Sequence, residues 1–243
     1  MKKTLIITDL TQMPVGNEVC VVGIDDAGNC IRPVCKGGFL KKYLYNPSGR
    51  IVIRPRAKVE FDLHPASCQQ PHIEDMIFTP SSVRGKGLCN DKEWEGVLKL
   101  SSYVSVSDIF DGFLQERSWV KTGAKTRSIG TVSGATIINV KLTTNSIKPR
   151  LTFKDSSGCE FNRPASDLTL WNRCFALAKK RGCSPLEVEK ELISSFQNAK
   201  RIYLRLGLAR PWKIEADEER CWLQITGVYT FPDYLNGKSF ADF

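Results

Sequence analysis

The chain has 243 residues, 42% hydrophobic and 25% charged, with 35 Lys/Arg against 26 Asp/Glu for a net charge of +9. That is the composition of an ordinary soluble globular protein, long enough for one large domain or two of roughly 100 to 120 residues. The apolar run at residues 4–9 is too short for a signal core or a membrane span, and nine scattered cysteines lack a disulfide framework, so reduced thiols in the cytoplasm are expected.

The positive charge is segregated. Residues 27–59 and 117–154 each carry eight Lys/Arg and no acid, which leaves 19 basic and 26 acidic residues elsewhere, a net of −7. A polyanion responds to local field and not to the chain average, so two such windows point to an anionic partner rather than to a face kept for solubility.

In chain order, residues 4–7 and 18–24 read as strands, and Asp25-Asp26-Ala27-Gly28-Asn29 turns the second into a third strand at 30–34. A Gly-Gly and basic connector, residues 36–50, leaves room for a short helix. Residues 57–63 alternate as a half-buried strand, and 73–78 give one more. Residues 81–128 follow as a joining segment with expected helices near 91–100 and 107–114. Strands at 135–142, 147–153 and 159–161 come next, the last two joined at Asp155-Ser156-Ser157-Gly158. A helix over 166–181 stops at Gly182, and Ser184-Pro185-Leu186-Glu187 opens another with a capping box. Strands at 200–208 and 221–229 complete the pattern.

Three strands, a connector and two strands is the element order of the OB-fold, and it occurs twice. The expected fold class is therefore mostly β: two tandem OB-fold-like β-barrels with α insertions, at residues 1–80 and 129–243, joined by a partly helical linker at 81–128. The second barrel carries a two-helix insertion at about 165–198.

Four stretches resemble the bacterial and archaeal dual OB-containing domain family: Cys30-Ile31-Arg32-Pro33, Arg127-Ser128-Ile129-Gly130, Leu206-Gly207-Leu208-Ala209-Arg210-Pro211-Trp212, and Gly227-Val228-Tyr229-Thr230-Phe231-Pro232-Asp233-Tyr234. The likeness covers nearly all of the chain. It implies two tandem barrels and nucleic-acid binding in genome-defence or mobile-element settings, and it implies no catalytic residue.

Nucleic-acid binding needs cations that track phosphates and flat rings on which bases stack. The candidates are Arg32, Lys36, Lys41, Lys42, Arg54 and Arg56 from the first window, and Lys121, Lys125, Arg127, Arg150 and Lys154 from the second, with Arg210 and Trp212 beyond them. Phe39, Phe153 and Trp222 are expected in the core, whereas Trp212 is the ring most expected to be exposed. Metal binding has one weak candidate set, His64, Cys68 and His72, for which ordinary loop residues are the preferred reading. Gly237-Lys238-Ser239 copies the end of a phosphate loop, but Pro232 stands where its first glycine belongs. No catalytic constellation and no cofactor motif is found.

The leading expectation is a non-enzymatic protein that binds single-stranded DNA or RNA. A protein-binding adaptor in a larger complex is the alternative, and a metal-dependent enzyme acting on nucleic acid is the weakest reading.

Overall fold

The computed structural model describes residues 1–13, 16–143, 147–215 and 218–243. The first ring contains β1 (Lys2–Gln12), β2 (Val19–Ile24), β3 (Cys30–Val34), β4 (Ala57–Pro65) and β5 (Asp75–Phe78). Their order is β1-β2-β3-β5-β4, and β4 pairs back onto β1, so the ring is closed; only the β3–β5 edge is parallel. That is the OB-fold topology. Alternation fixes which side of each strand faces in: Leu5, Ile7, Val19, Val21, Val59, Phe61 and Leu63 fill the barrel.

A short edge strand, β6 (Arg84–Leu88), follows, then α1 (Asp91–Leu100), β7 (Ser102–Tyr103), a single turn α2 (Val106–Ile109) and β8 (Trp119–Lys121). β6 extends the first ring through β4, while β7 and β8 pair with the second ring, so the expected linker is stitched into both barrels. Asn90 opens α1 through a reciprocal capping box with Glu93, and Trp94 and Leu98 are the face it buries.

The second ring comprises β9 (Ile129–Ser133), β10 (Thr136–Leu142), β11 (Pro149–Lys154), β12 (Glu160–Pro164), then α3 (Leu168–Phe175), α4 (Pro185–Gln197), β13 (Arg201–Leu208), β14 (Trp212–Glu215) and β15 (Glu218–Phe231). β9 and β10 act as one strand broken at Gly134, whose φ of +70° suits a residue without a Cβ. β9 pairs β13 and β10 pairs β11, which reproduces the order of the first ring. The β12–β15 edge is held by one parallel bridge, Ala165 to Ile225, so this barrel is half open. The helix expected over 166–181 is α3 continued by a π-helical turn at Ala176–Lys180, and α4 begins at the expected Ser184 cap. Among the described residues no helix is long and apolar enough to cross a membrane.

The repetition extends to single residues. In the β2–β3 turn, Asp25 Oδ1 accepts from the N–H groups of Ala27 and Asn29, and Gly28 takes φ +86°. In the β11–β12 turn, Asp155 Oδ1 accepts from Ser157 and Cys159, and Gly158 takes φ +83°. Both are the same Asx-type reversal.

Candidate nucleic-acid interface

The two barrels meet along the outer faces of β1, β2 and β3 on one side and of β13 and β15 on the other. Because those strands alternate, the side chains that do not fill a barrel are the ones that form the junction. At its centre the contact is polar and buried. Asp9 is 1% exposed and receives Arg205 Nε at 2.9 Å and Nη2 at 2.8 Å, while Thr226 Oγ1 donates to its second oxygen. Burial alone would lower the Arg205 pKa, but the Asp9 carboxylate outweighs it and holds the guanidinium above its ordinary value. Arg205 Nη1 also donates to Thr131 Oγ1 at 3.0 Å.

A second polar cluster lies beside it. Arg32 donates to Ser128 Oγ at 2.7 Å and to Asp75 Oδ1 at 2.9 Å. The N–H and hydroxyl of Ser128 donate to the two oxygens of Glu74, each at 2.7 Å. Arg210 reaches Asp75 Oδ2 at 2.7 Å. Burial would raise the Asp75 carboxyl, yet Arg210 and Arg32 together hold it below its usual range. His72 is buried with Nδ1 3.5 Å from Arg32. Burial first, then the positive charges of Arg32 and Arg210, press its pKa down to about 3, so the ring is neutral at pH 7.

These contacts leave a cleft of about 660 Å³ between the barrels. Its floor is polar and buried, at Asp9, Arg32 and Thr226. Its walls are apolar and aromatic: Val22, Phe39, Trp171, Trp222, and Trp212 at the mouth, 69% exposed. In an OB-fold the ligand crosses the face of strands two and three, between the first–second and fourth–fifth strand loops. Here β2 and β3 of the first barrel supply one wall. Met13 and Glu18, on either side of the first barrel's first loop, line the mouth with Lys148 from the equivalent loop of the second. The turn from β13 to β14 brings Arg210, Pro211 and Trp212. Gly38 at the mouth takes φ +82°, a conformation that suits a residue without a Cβ. Lys148 Nζ sits 5.0 Å from the centroid of the Trp171 ring.

The candidates from the sequence divide into four sets. Arg32, Arg210 and Trp212 line the cleft, but both arginines are bound to carboxylates. Arg56 pairs with Asp91 and Asp233, and Arg127 with Asp111 and two backbone carbonyls, so their charge is spent within the fold. Lys36, Lys42, Lys121, Lys125 and Lys154 are exposed, Lys41 and Arg54 half-buried, and no carboxylate pairs with them among the described residues. Arg150 donates to the Asn162 carbonyl.

Phe39 and Phe153 are buried as expected, whereas Trp222 is half-buried on the cleft wall rather than in the core. The reason is its register on β15: Cys221, Leu223 and Ile225 point into the barrel, so Trp222 and Gln224 point out. Sequence reasoning missed Lys148, Trp171, Trp222 and Gln224; the alternation Cys221-Trp222-Leu223-Gln224-Ile225 was the available signal for two of them.

His64, Cys68 and His72 are not brought together. His72 is buried between the barrels, His64 is exposed 3.8 Å from the Asp62 carboxylate, and the Cys68 thiol donates to local carbonyls. Among the described residues no group of three His, Cys, Asp or Glu side chains is placed to hold a metal ion. No protein-family model matches the chain, and no curated protein matches it in sequence.

Proposed function

We propose that the protein binds single-stranded nucleic acid, with bases entering the inter-barrel cleft and the backbone passing Lys148 at its mouth. The observation that carries this reading is the convergence of Trp171, Trp212 and Trp222 on one cleft, at the loops where an OB-fold takes its ligand. Each base stacked on an aromatic ring contributes about 1 to 3 kcal/mol, and every base has a face to stack. Both acid-free windows reach the same place, residues 32–39 from one and Lys148 from the other. A single strand suits the cleft better than a duplex, because stacked and paired bases present no free faces to the tryptophans.

A cytoplasmic setting belongs to this reading, supported by nine free thiols. The family resemblance adds a genome-defence or mobile-element context. The test is titration of fluorescent DNA and RNA single strands at about 50 and about 200 mM salt, a range over which several phosphate contacts weaken binding steeply. Salt-sensitive binding to single strands, weaker for the duplex, is the expected result. Absence of binding, or binding that ignores salt, rejects the proposal.

A further inference from the structure

On the outer face of β15, Trp222, Gln224 and Thr226 follow one another at alternate positions and all line the cleft. Alternate residues of a strand are about 6.8 Å apart, so the row presents an aromatic ring, a carboxamide and a buried hydroxyl over some 13 to 14 Å of strand. Thr226 is already engaged by Asp9 at the floor. The Gln224 carboxamide, in contrast, makes no hydrogen bond to any described residue and is only half-buried, facing the space between the barrels. Trp171 stands on the cleft wall with Lys148 against it. At the mouth, the Glu18 carboxylate makes no hydrogen bond or ion pair to another described residue, and Lys213 beside Trp212 is exposed.

The buried lining residues Asp9, Arg32 and Thr226 give the cleft a floor against which a single base-sized group can seat. The cleft volume, about 660 Å³, falls within the range of roughly 300 to 1,000 Å³ usual for small-molecule sites. Resting on the nucleic-acid reading above, we infer that the cleft is a nucleotide pocket: one terminal or extruded nucleobase lies against Trp222 and Trp171 with its edge on the Gln224 carboxamide, and its phosphate stays at the rim by Lys148. A carboxamide offers a donor and an acceptor side by side, which is the pattern a base edge pairs with. The floor is already engaged within the fold, Asp9 by Arg205 and Thr226 and Arg32 by Ser128 and Asp75.

The experiment is a tryptophan-fluorescence titration of the full chain with AMP, CMP, GMP and UMP, alongside an unlabelled single strand. The expected result is saturable quenching by mononucleotides, unequal among the four bases, in competition with the strand. Trp222→Leu should weaken mononucleotide binding by roughly tenfold or more. Gln224→Leu breaks no hydrogen bond among the described residues and should keep the unfolding midpoint while levelling the differences among bases. Strand binding with no mononucleotide binding overturns the pocket and leaves the broader reading standing, whereas loss of both removes the two together. Mononucleotide binding unchanged by either substitution also overturns the pocket, since the base would then be elsewhere.

Discussion

The guanidinium of Arg205 and the carboxylate of Asp9 lie 2.8 Å apart, one from each barrel, and neither side chain reaches solvent. The pair stands at the base of the cleft, so the force that joins the barrels also sets the geometry of the site. Removing one partner strands a buried charge, which costs about 3 to 5 kcal/mol. Arg205→Met and Asp9→Leu are each expected to lower stability by that amount in urea unfolding. The double variant should recover most of the loss, because two apolar side chains of similar bulk leave no charge behind.

His72 makes stability depend on pH with a defined sign. Its folded pKa is about 3 and its ordinary value 6.5, so between these values the unfolded chain binds a proton that the folded chain refuses. The stabilisation is complete above pH 6.5 and is lost as pH falls toward 3, by an amount on the order of a few kcal/mol. Asp75, also held low, adds a loss of the same sign below the usual carboxylate range. His72→Gln should therefore flatten unfolding free energy between about pH 6.5 and 4.5 and leave the steeper acid limb in place.

Lys148 is exposed at the mouth and has no carboxylate partner among the described residues. Lys148→Gln is expected to change stability by no more than about 0.5 kcal/mol. It should weaken strand binding for all sequences alike and reduce the slope of log affinity against log salt by about 1. Arg32→Met is expected to do the reverse and act first on stability, since it leaves Asp75 with Arg210 alone and the Ser128–Glu74 pair with no guanidinium.

The matched turns offer an internal comparison. Asp25 serves its own hairpin and Lys3, whereas Asp155 also accepts from the Val106 N–H through its second oxygen, tying α2 to the barrel. Asp155→Ala should thus cost more than Asp25→Ala, by about 1 kcal/mol for the extra buried donor left unpaired. Chemical denaturation of the two single variants checks the difference.

Local signals made much of this fold legible. Asp25 through Asn29 spells a hairpin turn, Ser184 through Glu187 a helix start, and both lie where they were expected, as does the doubled strand order. The site was less legible because its partners are distant in sequence. Nothing near Arg32 announces that Asp75 and Ser128 will take its charge, so it reads as a free cation from its neighbours alone. Trp222 reads as core because the strand around it is apolar; only the docking of one barrel against the other turns its outer face into a wall.

The most direct test is where a bound strand touches the protein. Zero-length photo-crosslinking of a single strand carrying halogenated pyrimidines, followed by peptide mapping, should place adducts at Trp171, Trp212 and Trp222. Adducts confined to lysines outside the cleft, such as Lys125 and Lys154, with the tryptophans unmodified, would contradict the account.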